Sequence, residues 1–276
     1  MSYFKAQDDC NIYYEVRNFK ASGPVLVFLN GTAQTTLNWK FHSDNLKDRF
    51  RVVLYDARAQ GQSDLGQVRL SPECHAADLA DLLGHLGVET AHLVGLSHGA
   101  YVTLTFACRY PRRVSRLVLC SVSAKPDARA RVIIRSWRSI LRTGGIEAMA
   151  WAFLPFVFGE NFLKQNEKML DNIVKAIVRR NREKSLDAHL EAITGYPPLS
   201  HLARDIRIPA LVISGCDDPL VKAEGAEELA KLCGGGHQRI VGAGHSVPAE
   251  TPQLFSKTVA EWVSRGRAEA LTPNPL

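Results

Sequence analysis

Three side chains in this 276-residue chain have the types and the order needed for nucleophilic acyl chemistry. Ser97 is the centre of Gly95-Leu96-Ser97-His98-Gly99, a G-x-S-x-G pentapeptide. A serine hydroxyl is a weak nucleophile near neutral pH, so it needs a base to take its proton and a group to hold that base. Candidates for both stand later in the chain: Asp218 in Gly215-Cys216-Asp217-Asp218-Pro219, and His245 in Gly242-Ala243-Gly244-His245. Such a site also needs backbone N–H groups aimed at a developing oxyanion, and His98, the residue after the serine, supplies one. Each residue has a plainer reading as well. The pentapeptide alone arises by chance, either aspartate can cap a helix, and one histidine among nine is commonly structural. Their order along the chain and the elements that carry them favour chemistry.

Those elements follow from apolar patterning. VLVFL at 25–29, between Gly23-Pro24 and Asn30-Gly31, reads as a buried strand, and 52–55, 91–96, 117–120, 209–213 and 238–241 repeat its character. Helical patterns lie between them. In the clearest, 72–86, Pro72 opens the helix, leucines 79, 82, 83 and 86 recur at helical spacing, and Gly87 ends it. Another follows Ser97, and 223–232 and 252–264 fit two more. The alternation predicts a mostly parallel sheet covered on both faces. Ser97 then falls on a strand, tight turn, helix junction, and Asp218 and His245 fall just past the last two strands. Segment 124–200 breaks the alternation with helical stretches at 127–142 and 162–193, separated by AWAFLPFVFGENF, and no strand. It reads as a helical insertion over the strand ends, where open α/β sheets bind ligands.

With these pieces the chain resembles the α/β-hydrolase superfamily over about 25–123 and 201–264, through NG at 30–31, DARAQGQSD at 56–64, GLSHG, GCDDPLV and GAGHS. The resemblance implies a mostly parallel central sheet flanked by helices, a core of 1–123 and 201–276, and a helical cap at 124–200. It implies a triad of Ser97, Asp218 and His245, because the family's acid usually precedes the proline; Asp217 is the second candidate. It places the second oxyanion donor on the backbone of Thr32. Many relatives carry His where this chain has Asn30, which changes the pocket lining there. Asn30 and Trp39, with Trp151 and Phe156 of the aromatic insertion, are the candidate substrate contacts, and packing within core or cap explains the aromatic residues equally well. The resemblance implies no cofactor.

Acyl transfer through a serine leaves the acceptor open. Water makes a hydrolase; an alcohol or thiol makes an acyltransferase. Asn30-Gly31 with Thr35-Thr36, and Phe50 to Asp56 followed by Gly61-Gln62-Ser63, are locally similar to 3-hydroxyacyl acyltransferases, which implies an acyl carrier protein or CoA thioester as donor. GAGHSVPAETP resembles common hydrolases instead, and hydrolysis of an ester or thioester is the favoured expectation. A binding protein of the same fold without catalysis is a further alternative. Other classes lack their signals. Dehalogenases and epoxide hydrolases of this fold carry aspartate at the elbow, NGTAQT is no dinucleotide fingerprint, and no His, Cys or carboxylate spacing suggests a metal.

Lys and Arg total 34 against 28 for Asp and Glu, a formal charge of +6. The excess concentrates on Arg129, Arg131, Arg135, Arg138 and Arg142 and in KAIVRRNREK, all within the insertion. A solvated helix face is the first reading and a docking site for an acidic carrier or CoA phosphates the second; nucleic acid is not expected. MSYFKAQDDCNIYYEV lacks a basic segment leading into an apolar one, no apolar run approaches the ~20 residues of a membrane span, and the six cysteines show no paired spacing. The expectation is a reduced, cytoplasmic protein.

Overall fold

VLVFL has no polar face, so it is stable as a strand only where both sides of a sheet are covered. In the computed structural model, which describes residues 2–20 and 22–265, this segment is β3 (Val25–Leu29), every residue of it buried. Eight strands form one sheet in the order β1-β2-β4-β3-β5-β6-β7-β8. The others are β1 (Ser2–Lys5), β2 (Asn11–Arg17), β4 (Arg51–Tyr55), β5 (Ala91–Leu96), β6 (Val114–Cys120), β7 (Ala210–Gly215) and β8 (Gly236–Ile240). The β1–β2 and β2–β4 pairings are antiparallel and the remaining five are parallel. β1 and β2 were not expected. β1 has one buried residue of four and β2 two of seven, so they lack the continuous apolar signal of the central strands.

Strand side chains alternate between two cores. Val25, Val27 and Leu29 face Leu79 and Leu82 of α2 (Pro72–His85), Leu104 of α3 (His98–Arg109) and Leu229 of α9 (Ala223–Leu232). Leu26 and Phe28 face Leu46 of α1 (Lys40–Leu46) and Phe255 and Val259 of α11 (Pro252–Ser264). The entry to α2 follows local rules: Ser71 Oγ accepts the Cys74 N–H, and Pro72 occupies the first helical position. The six cysteines are free thiols.

Between β6 and β7 the chain is helical: α4 (Ala128–Val157), α5 (Glu160–Gln165), α6 (Leu170–Arg180), α7 (Glu183–Thr194) and α8 (Ser200–Asp205). Two details differ from expectation. The aromatic stretch is helix rather than connector, because Met149, Ala150, Leu154 and Val157 recur at helical spacing and are buried. Gly145, at φ 75°, kinks α4 between its arginine-bearing and aromatic halves. Residues 162–193 form three pieces instead of one. Asn166 Nδ2 donates to the Phe162 carbonyl and Asn181 Nδ2 to that of Ile177, closing α5 and α6 where the pattern alone would have run on. α4 is long and apolar enough to cross a bilayer by length and composition, yet it packs against α6 and α7 across the cap core. The expected core reaches residue 276, and 266–276 lie outside the described residues.

Candidate active site

The turn from β5 into α3 is made at Ser97, whose φ of 53° and ψ of −113° fall outside the regions L-residues prefer. Such a conformation costs about 1–3 kcal/mol and persists only where its surroundings enforce it. Here the enforcement is steric. A Cβ on Gly95 would lie 2.5 Å from the Ala100 nitrogen, and one on Gly99 would lie 2.2 Å from the Leu29 carbonyl oxygen. The two glycines of the pentapeptide thus let α3 press against β5 and β3. The Ser97 N–H donates to the Cys120 carbonyl at 2.8 Å. The next N–H, that of His98, is the first of the helix and has no intrahelical acceptor.

Past β7, Asp218 is buried with both carboxylate oxygens engaged. Oδ1 accepts the N–H groups of Leu220 and Val221 at 2.8 and 3.0 Å, and Oδ2 lies 2.7 Å from His245 Nδ1. Asp217, the alternative, is exposed. The His245 loop is held by a residue the sequence did not single out, Glu250 of α10 (Val247–Glu250). Its Oε2 accepts from Gly244 N at 2.8 Å and Gly159 N at 2.9 Å, and Oε1 accepts from Ser246 N at 3.0 Å. Burial pushes the Glu250 pKa up, and these three N–H groups oppose the rise. Because Gly159 follows α4, the same carboxylate ties the cap to the histidine loop. Ser246 N also donates to the Val157 carbonyl at 2.9 Å, adding a second tie.

Thr32 sits in the loop after β3, facing the elbow. Gln60 Nε2 donates to the Gly31 carbonyl at 2.8 Å and the Gly31 N–H donates to Gln34 Oε1 at 3.0 Å, fixing this loop from both sides. Asn30 and Trp39 do not touch the cavity, which corrects their assignment as substrate contacts. Trp39 is 1% exposed, packs among Phe28, His42 and Phe255, and donates from Nε1 to Asn30 Oδ1 at 2.8 Å. Asn30 Nδ2 donates in turn to the Tyr55 carbonyl and to Asp56 Oδ1. Burial lifts the Asp56 pKa to about 6 against the N–H donors of Gln62 and Thr36 and the Asn30 amide. The departure at Asn30 therefore serves the junction of β3 and β4.

Ser97, Thr32, His98 and His245 all line one cavity of about 160 Å³ between core and cap. Its apolar wall comes from Ile134, Trp137, Phe153 and Val157 of the cap with Val122 and Leu220 of the core. Among the described residues, no Asp, Glu, Lys or Arg lines it. Trp151 and Phe156 are not in the wall either: Trp151 is 41% exposed, and Phe156 packs on Trp137 within the cap. Phe153, two residues after Trp151 and three before Phe156, lines the wall in their place. Two of the cap arginines are committed to cap carboxylates. Arg138 and Arg142 both bond Asp187, and Arg138 also meets Glu191. An acidic partner would have to displace those carboxylates to reach Arg138 or Arg142.

The fold also assembles what no sequence spacing shows. His75, His98 and His189, from α2, α3 and α7, are buried together with one ring nitrogen of each within 4.8 Å of the others. His189 Nε2 shares a hydrogen bond with Thr32 Oγ1 at 3.1 Å. No spacing along the chain brings these three histidines together; the fold does.

A family model described as the alpha/beta hydrolase fold matches residues 24–252, and the chain belongs to that family. It is an α/β-hydrolase enzyme. Among curated relatives, a candidate carbamate hydrolase, RutD, of Caulobacter sp. (strain K31) is 27% identical over 271 residues, covering 92% of this chain and 96% of the relative. The crystal structure of the enol-lactonase from Burkholderia xenovorans LB400 superposes with a TM-score of 0.88 at 26% identity, covering 96% of this chain and all (100%) of that one. A thermophilic esterase from Thermogutta terrifontis gives 0.85 at 26% identity, covering 99% and 100%.

Proposed function

We propose that this enzyme hydrolyses carboxylic esters or thioesters of an uncharged, apolar acyl group through a covalent acyl-enzyme on Ser97. In this reading His245 takes the Ser97 proton as the hydroxyl attacks the carbonyl, then delivers it to the leaving group. Asp218 holds the imidazole in the required tautomer and stabilises the imidazolium. The N–H groups of Thr32 and His98 receive the oxyanion. Water, activated by the same imidazole, releases the acid.

The observation that carries the substrate class is the cavity. Its volume is close to the ~150 Å³ of an apolar cavity that holds benzene, which suits an acyl group of about six carbons. Among the described residues the lining offers no Lys or Arg to meet an anionic substrate. A lactone of a dicarboxylic acid keeps one carboxylate and would leave it unpaired there, at a cost well beyond what apolar contact returns. The relatives named as an enol-lactonase and a carbamate hydrolase therefore support the reaction class better than the substrate.

A panel of p-nitrophenyl esters from acetate to decanoate, matched acyl-CoA thioesters and carboxylated lactones tests this directly. Free acid should be the product, with kcat/KM highest near hexanoate. Preferential turnover of the carboxylated lactones, or an acylated alcohol as the main product, would refute it.

A further inference from the structure

Three imidazoles meet behind the elbow from three separate elements. The rings of His75 and His98 are 4.8 Å apart and those of His98 and His189 4.5 Å apart, both edge to face. Their exposures are 1%, 6% and 1%. A neutral imidazole carries one donor and one acceptor, and leaving either without a partner in the interior is costly. Yet among the described residues both ring nitrogens of His75 and Nδ1 of His189 make no hydrogen bond, and the second nitrogen of His98 has no well-aligned partner, only the Asn30 backbone beside it. The other two nitrogens are held: His98 Nε2 lies 3.3 Å from the Tyr196 hydroxyl and His189 Nε2 3.1 Å from Thr32 Oγ1. In His98 and His189 one nitrogen is fixed by an outer partner, as in a metal-ligating histidine, and His75 brings an imidazole with both nitrogens unpaired.

The protonation states agree with that pattern. Burial pushes the His75 pKa down to about 3 and that of His189 to about 4. His98 is lowered well below the usual range by burial and by the two neighbouring rings, with the Asn30 backbone opposing. All three are neutral near pH 7, the form that binds metals.

We propose that His75, His98 and His189 form a binding site for a first-row divalent cation such as Zn2+, assembled where the cap docks on the core. Three imidazoles without a thiolate or carboxylate select zinc, copper or nickel over magnesium or calcium. A tetrahedral zinc with Zn–N bonds of about 2.0–2.1 Å places its ligand nitrogens roughly 3.3 Å apart, so the three rings must rotate inward from their present spacing. A water completes the fourth position, as in other three-histidine sites. Since His189 comes from α7 and His98 follows Ser97, the cation joins the cap to the elbow, and its binding stands independently of which substrate the cavity takes.

The test is metal retention by the full chain. Protein stripped with chelator is incubated with Zn2+, freed of unbound metal by gel filtration and analysed by mass spectrometry for metal content. Wild type should keep about one equivalent and show a higher Tm with Zn2+ but not with Mg2+. In His75→Leu and His189→Gln, which keep the surface histidines, affinity should fall by more than the ~10–100-fold that loss of an outer-shell partner costs. If either variant fails to fold by circular dichroism, the other decides. A metal-free wild type, or folded variants that retain as much zinc, would overturn the site.

Discussion

Glu250 offers a sharp test of how the cap and the His245 loop are joined. Its carboxylate accepts three backbone N–H groups, from Gly159 and Gly244 through Oε2 and from Ser246 through Oε1. Each hydrogen bond to a charged acceptor contributes about 1.5–3 kcal/mol. The bonds are not additive, the Ser246 N–H keeps the Val157 carbonyl, and water reaches this half-buried position. Glu250→Ala should therefore lower stability by about 2–4 kcal/mol. Glu250→Gln keeps one carbonyl oxygen for Gly159 and Gly244 but sets its NH2 against the Ser246 N–H, which retains the Val157 carbonyl, and should cost less than the alanine change, about 1–2 kcal/mol. Displacing the His245 ring by a fraction of an ångström lowers kcat by roughly tenfold to a hundredfold in the alanine variant, with KM little changed because Glu250 does not line the cavity. Urea denaturation and ester kinetics measure both effects. An alanine variant within 0.5 kcal/mol of wild type and with unchanged kcat, where about 2–4 kcal/mol is expected, would show that the carboxylate does not hold the loop.

Further outcomes follow from other buried groups. His75 stays neutral when folded, with its pKa near 3, whereas in the unfolded chain it protonates near 6.5; the unfolded state thus binds more protons and stability falls as pH drops below 6.5. The contribution is about 2 kcal/mol between pH 7 and pH 5, so metal-free His75→Leu should lose that much less stability than wild type over this interval, and an unaltered pH dependence of the urea midpoint would contradict it. Asn30→Ala strands the Trp39 indole N–H and the Tyr55 carbonyl and should cost about 2–4 kcal/mol with KM within about twofold of wild type; a large rise in KM at unchanged stability would return Asn30 to the substrate site.

The parts of this molecule that were legible in the sequence are those coded locally. VLVFL, AHLVGL and PALVI announce buried strands, and the glycines around Ser97 mark the turn because only a residue without a Cβ lets α3 approach β3 and β5. Asp218 and His245 were visible through their place after strands. What escaped notice depends on contacts between distant segments. Glu250 lies in PAETP and reads as an ordinary helical acid until Gly159 of the cap is brought to it. His75, His98 and His189 are scattered along the chain and meet only because α2 packs on α3 and α7 closes over both. Asn30 and Trp39 belonged to the right loop and helix, but which way a side chain points there is set by the Asn30–Asp56 network, which no spacing reveals. In the cap, helical periodicity placed apolar residues correctly without telling which turn of α4 faces the cavity, so Trp151 and Phe156 stood in for Phe153.

Everything proposed for the reaction passes through one oxygen, Oγ of Ser97. A fluorophosphonate probe followed by peptide mass spectrometry reads that oxygen directly. A single adduct should appear on the peptide containing Ser97, with ester hydrolysis lost in proportion, and Ser97→Ala should be folded, unlabelled and slower by several orders of magnitude. Equal labelling of Ser97→Ala, or turnover within a few-fold of wild type, would contradict a nucleophilic Ser97.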